Sequence, residues 1–209
     1  MPLSEGEGKA LTSSVQPRPD LPVYLATLGP KSLELTGELA DGWLGTSFIP
    51  EHASLFFDSI AAGAAQANRT LADLDLQVAG GVVAFSDDVD SLIAPRKPGL
   101  AFTLGAMGSR QHNFYNDVYQ RAGYADMALE VQDLWFKKQR EAAAAHIPDE
   151  LVLKTNLIGT EDMVRERLRV HRHAGVNTLQ VIPDGHALDE RLATLARLVE
   201  LVKEINAEP

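Results

Sequence analysis

The stretch Leu21–Thr46, LPVYLATLGPKSLELTGELADGWLGT, decides the fold. Val23-Tyr24-Leu25-Ala26 is a compact apolar run with β-formers, as expected of a strand buried on both faces of a parallel sheet. Leu28-Gly29-Pro30 ends it, and Pro30 suits the first position of a helix, where its missing N–H costs nothing. Leu33, Thr36-Gly37 and Ala40 follow at helical spacing, Asp41-Gly42 breaks the helix, and Trp43-Leu44 opens a second strand. The unit is βαβ. Its first strand ends where a helix begins, so free backbone N–H groups and the positive end of a dipole converge on one spot, suited to a ligand phosphate.

Outward from this unit, Ala53, Phe56, Ile60, Ala64 and Ala67 mark one face of a helix opened by Ile49-Pro50-Glu51. Leu74–Phe85, LDLQVAGGVVAF, is the third strand; its Gly80-Gly81 pair suits a barrel bend first, and otherwise a close backbone approach to a ring. Ser86-Asp87-Asp88 starts a helix, and residues 95–150 read as a mainly helical insertion or lid, broken near Gly105–Gly108 and at Gly123. Thr160 caps a helix with Val164, Leu168 and Ala174 on its apolar face. Thr178–Ile182 is the fourth strand. The last helix has the cleanest periodicity, Leu188, Leu192, Leu195, Val199, Val202 and Ile205. Residues 1–20, rich in Gly, Ser, Pro and charge, read as an exposed arm before a domain at 21–209.

Four alternations of strand and helix indicate an α/β domain with a parallel sheet. They amount to half of a (β/α)₈ barrel of about 250 residues, so either the sheet is open or this is the second half of a barrel. Such a half leaves two open sheet edges and an uncovered apolar interior, which invite association.

With 209 residues, 45% of them hydrophobic, the chain can bury a sizeable core. The net charge of −10 argues against nucleic acid and anionic membrane as partners. Without cysteine there is no disulfide, thiolate metal site or cysteine nucleophile. No run approaches the roughly 18 apolar residues of a membrane span, and residues 1–14 lack the apolar core of a signal peptide, so a cytoplasmic protein is expected. No metal site is expected: His171 and His173 diverge by about 200° on a helix, and Asp87, Asp88 and Asp90 suit a capped helix start. Arg110, His112, Asn113, Tyr115 and Asn116 gather donors in one short stretch, as a ligand contact or as a solvated helix end.

Three segments, Pro22–Leu44, SRQHNFYNDVYQRAGY (Ser109–Tyr124) and GTEDMVRERLRVHRHAGV (Gly159–Val176), together resemble the luciferase-like flavin and deazaflavin oxidoreductases, in particular the coenzyme F420-dependent branch. The resemblance covers about residues 15–183 and is most specific in YLATLGPKSLELTGELADGW. It implies a TIM-barrel type α/β fold, represented here by about four of its eight units, strands 5–8. It also implies a homodimer that binds F420 (alternatively FMN) at the barrel mouth and transfers hydride to or from a small organic substrate. On this resemblance Ala26, Thr27, Leu28 and Gly29 contact the cofactor's phosphate-bearing chain, with no competing negative side chain; Trp43, at the end of its strand, suits either packing against the ring or a place as a core aromatic. The family's proton-handling His, Trp and Glu lie in the other half, so no catalytic residue is assigned and little turnover is expected of this chain alone. The rival expectations are a non-catalytic half-barrel that binds a phosphorylated ligand or self-associates, and a truncated product of a longer reading frame.

Overall fold

The computed structural model describes residues 14–16 and 18–208. Most of the N-terminal arm therefore lies outside the described residues; those of its residues that are described are exposed. The elements run β1 (Tyr24–Leu25), α1 (Pro30–Leu39), β2 (Gly42–Gly45), α2 (Ser54–Gln66) and β3 (Asp75–Phe85). Six helices separate β3 from the next strand: α3 (Val89–Ile93), α4 (Lys97–Ala106), α5 (Phe114–Tyr119), α6 (Ala125–Phe136), α7 (Arg140–Ala145) and α8 (Asp149–Lys154). The chain closes with β4 (Leu157–Gly159), α9 (Glu161–His173), β5 (Thr178–Pro183) and α10 (Leu188–Ala207).

Every strand pairing is parallel. The long strand β3 is the spine of the sheet. Its Gln77 and Val78 pair with β2 on one side and β5 on the other. Beyond a register shift at Ala79/Gly81, Val83 pairs with β4 on the edge that β2 has left, and with Pro183 of β5. Gly81 adopts φ +71°, and a Cβ there would lie 2.3 Å from the Thr155 carbonyl oxygen, so glycine is required at the bulge. Asn156 locks it: its Oδ1 accepts from the Val82 amide at 2.9 Å and its Nδ2 donates to the Val152 carbonyl.

The outer face of the sheet carries the core. Trp43, Leu76 and Val78 pack with Leu33 of α1 and Phe56, Phe57 and Ile60 of α2. Helices α1 and α2 approach closely because Gly37 and Gly63 sit at their contact; a Cβ on either would fall within 1.9 Å of a backbone oxygen of the facing helix. A second cluster joins α4, α6, α7 and α8, and a third joins Val83 and Leu157 to α9 and α10.

The structure corrects four sequence expectations. A fifth strand, Leu157–Gly159, exists; three residues are too short for an alternation signal. The first strand is not buried on both faces: Tyr24 and Leu25 are half-buried and Val23 is exposed. The inner face of the sheet is open and only partly apolar: Ala79, Val82 and Ile182 line it at one end, and polar groups line it at the other. The Tyr24 hydroxyl donates to Asp75 Oδ2 at 2.9 Å and Thr178 Oγ1 donates to Asp75 Oδ1 at 2.8 Å, with Gln77 and Gln180 in the next register. Finally, the α10 stripe divides. Leu198, Leu201 and Ile205 are buried, whereas Leu188, Leu192, Leu195 and Val199 are exposed.

Candidate functional site at the C-terminal edge of the sheet

The turn from β1 into α1 has an unusual hydrogen-bond balance. The carbonyls of Thr27, Leu28 and Gly29 are used: Thr27 accepts from Trp43 Nε1 at 3.0 Å, Leu28 from Arg121 Nη2 at 3.1 Å, and Gly29 from the Ser32 hydroxyl and the Leu33 amide at 2.9 Å each. Its amides are not. Those of Leu28, Gly29, Lys31 and Ser32 donate to no acceptor among the described residues. No side chain caps α1, no acidic residue stands in its first turn, and Pro30 removes the remaining donor. The Thr27 hydroxyl is bonded to that of Thr36 at 2.7 Å, which ties the turn to its own helix.

A cavity of about 420 Å³ opens over this turn, walled by Leu28, Gly29 and Pro30 and, from α5 and the π-type turn Gln120–Tyr124 after it, by Phe114, Asp117, Gln120 and Arg121. Of the four residues singled out in this turn, Leu28 and Gly29 line the cavity, whereas Ala26, which is exposed, and Thr27, which is half-buried, are not among its walls. The turn does have a negative neighbour, because the fold brings Asp117 to the same cavity as Arg121.

Trp43 does not reach the mouth. It is 0% exposed, at the centre of an aromatic cluster with Phe48, Phe56 and Phe57 at ring-centroid distances of 5.1–6.0 Å. Its neighbours on β2 and its indole N–H point to a positioning part: it holds the Thr27 carbonyl and with it the turn. The expectation of ring contact fails because the β2 pleat directs this residue toward α2 rather than into the barrel.

The larger cavity, about 510 Å³, lies at the same edge of the sheet between the inner face and the helical roof. Ala79, Val82 and Ile182 form its floor, Leu100, Thr103 and Met107 its roof, and Thr46, Ser47, Tyr115 and Tyr119 stand where β2 ends and α5 passes. Helix α5 separates the two cavities, presenting Tyr115 and Tyr119 to one and Phe114 and Asp117 to the other. Ser47 has φ +53°, an uncommon conformation for a serine, at the exit of β2. It stands at this mouth with Tyr119, whose phenol burial pushes up to about 12.

Of the donor cluster at 110–116, Tyr115 alone reaches this mouth. Asn113 and Asn116 are buried and structural: both donate to the Leu104 carbonyl, Asn116 also to that of Ala128, and Asn113 Oδ1 caps α5. Arg110 pairs with Asp133 at 3.2 Å. The residues that sequence reasoning missed here are Ser47, Tyr119, Asn156 and Arg121, and local pattern gives no sign of them. Their place follows from a roof helix crossing the sheet some seventy residues later in the chain. No group of three or more potential metal-ligating side chains occurs among the described residues. His171 is buried against the Arg167 carbonyl, and burial lowers its pKa to about 4. Asp88 caps α3, and no helix among the described residues is long and apolar enough to cross a membrane.

Comparison with known proteins gives the family and the fold. The profile of the luciferase-like monooxygenases matches residues 2–178. The Mycobacterium tuberculosis protein named as coenzyme F420-dependent oxidoreductase Rv3520c is 38% identical over 197 residues, which is 93% of this chain and 56% of that protein. The F420-dependent glucose-6-phosphate dehydrogenase of Beutenbergia cavernae is 37% identical over 99 residues, 45% of this chain and 30% of its own length. In fold, the coenzyme F420-dependent tetrahydromethanopterin reductase of Methanopyrus kandleri superposes with a TM-score of 0.66 at 20% identity, over 89% of this chain and 51% of that one. The chain thus spans about half the length of these relatives, as a partial barrel of parallel β/α units. It belongs to the luciferase-like monooxygenase family.

Proposed function

We propose that this chain is the cofactor-gripping part of an F420-dependent oxidoreductase that transfers hydride between the deazaflavin and a small organic substrate at the barrel mouth. The observation that carries the reading is the unfilled start of α1: four unbonded amides, no acidic side chain in the first turn, and a cavity above them. Such a helix start favours an anion, and the phosphodiester of F420 is one. Ala26, Thr27, Leu28 and Gly29 form the cradle, and Arg121 adds a charge from across the cavity. When bound, the deazaflavin supplies the hydride. The chain's own residues bind and orient: Trp43 and Thr36 fix the turn, and α5 divides the anion cradle from the mouth. Relatives named for F420 favour that cofactor over FMN. The same reading takes residues 21–209 as one domain with a helical insertion at 95–150, in a cytoplasmic protein that works as a homodimer.

A second reading concerns association, and specific residues favour it. Large exposed apolar side chains gather on the two helices at the ends of the partial barrel, Leu35 and Leu39 on α1 and Leu188, Leu192, Leu195 and Val199 on α10. Among the described residues, strand β1 pairs only with β2, and β5 only with β3. Sedimentation of the purified chain yields a discrete dimer if these surfaces pair copies, and a stable monomer if they do not. For the cofactor, titration with F420 and with FMN, followed by ring absorbance, gives saturable F420 binding that inorganic phosphate competes away. Saturable FMN binding without F420 binding would overturn the cofactor assignment, and binding of neither would remove the cradle.

A further inference from the structure

Away from the mouth, His171 carries a hydrogen-bonding atom that the fold does not use. This side chain, in the last turn of α9, is 4% exposed, with the Phe48 ring packed on it at a centroid distance of 6.4 Å. Its Nδ1 lies 2.9 Å from the Arg167 carbonyl one turn back. A carbonyl can only accept, so in the neutral ring Nδ1 carries the proton and Nε2 the lone pair. Burial outweighs the Arg167 carbonyl and the Glu51 charge, which keeps the ring neutral at ordinary pH. Nε2 has no partner among the described residues, and it is not one of the polar atoms closed off from solvent.

The ring borders a groove of about 340 Å³ between α9, the outer side of β5 and α10, walled by Leu168, Leu179, Val181, Leu198 and Val202. Pleating sends Leu179 and Val181 outward to this groove and Ile182 inward to the mouth, so β5 separates the two spaces. The polar groups at the rim are largely spent. Asn177 accepts from the Leu76 amide and donates to the Leu74 carbonyl, Arg172 donates to the Ile205 and Glu208 carbonyls, and Lys203 pairs with Glu200 at 2.8 Å. Asn206 is exposed. A water inside would meet one acceptor and otherwise hydrocarbon, whereas an ordered buried water takes about two to four polar partners.

We infer that this groove is a second binding site, for an uncharged apolar molecule with one O–H or N–H donor, a phenol being the simplest case, whose donor bonds to His171 Nε2. The apolar walls take the body of the ligand, and its donor supplies the partner that the imidazole lacks. The site lies on the other side of β5 from the mouth and stands independently of the oxidoreductase reading.

The test uses the purified chain, labelled at its histidine nitrogens and its Leu and Val methyls, and two probes: 4-ethylphenol, and 4-ethylanisole, the same ring with its hydroxyl capped by a methyl. The phenol shifts the methyls of Leu179, Val181 and Val202 saturably and moves the His171 Nε2 resonance upfield, as a newly bonded lone pair requires. The ether binds about fivefold more weakly and leaves Nε2 where it was. His171→Leu removes the phenol's advantage, so that both probes bind alike. The Nε2 resonance is read on the unaltered chain, so the result stands even if that variant fails to fold. Saturable phenol binding with Nε2 unmoved would overturn the proposal, as would an ether that matches the phenol. So would shifts at Leu100 of the mouth without shifts at Leu179 and Val181, or the absence of saturable binding.

Discussion

Helices α1 and α9 each begin where a parallel strand ends, β1 for one and β4 for the other, yet their first turns are built in opposite ways. The start of α9 is self-sufficient. Thr160 Oγ1 accepts from the Met163 amide at 3.3 Å, Glu161 and Asp162 stand in the first turn, and Arg165 and Arg197 bind the Glu161 carboxylate and hold its pKa below the usual range. The start of α1 has no cap, no acid and a cavity in front of it. A helix start that supplies its own negative charge is finished as a structural element, whereas one that lacks it is open to an external anion. The difference between them separates scaffold from site.

The largest effect expected falls on the scaffold behind α1. Trp43→Ala empties the aromatic cluster and costs about 3–5 kcal/mol of stability in urea unfolding, with loss of anion binding because Thr27 loses its anchor. A stable variant that still binds anion would detach the turn from its support. Next comes α9, through His171. Its pKa of about 4 in the folded chain lies below the ordinary 6.5, so the unfolded chain takes up the proton first. Stability is therefore full above about pH 6.5 and falls as pH drops toward about 4, by about 3 kcal/mol in all. His171→Gln flattens that part of a pH-resolved unfolding series; an unchanged slope would show that His171 is accessible to water.

Two smaller effects sharpen the contrast between the helix starts. Arg121→Ala weakens phosphate binding by about tenfold in calorimetry, with the melting temperature nearly unchanged, because the side chain is exposed. Thr160→Ala does the reverse: it costs about 1 kcal/mol of stability and leaves phosphate binding as it was. If Thr160→Ala weakened the anion and Arg121→Ala did not, the two helix starts would have exchanged roles.

How much of this was legible in the sequence depended on the range of the interaction. The β1–α1–β2 unit, its Pro30 start and the bulge at Gly81 are local, fixed by turn chemistry and period, and could be read directly. The three-residue strand β4 lacks the length to show a period. The stripe on α10 shows the limit of periodicity: it marks which residues are apolar and cannot tell which of them a neighbour covers. Trp43 failed as a site residue for a related reason, since the sequence places it beside the turn but only the pleat decides which face it joins. Arg121 and Asp117 at the cradle, and Tyr119 with Ser47 at the mouth, are set by how α5 crosses the sheet. No local pattern encodes that crossing.

The most direct measurement is an amide-resolved NMR titration of the chain with F420. The amides of Leu28, Gly29, Lys31 and Ser32 should move together and saturably, those of Glu161, Asp162 and Met163 should stay in place, and inorganic phosphate should reverse the movement. Saturable binding that shifts other amides and leaves the start of α1 unmoved would contradict the account.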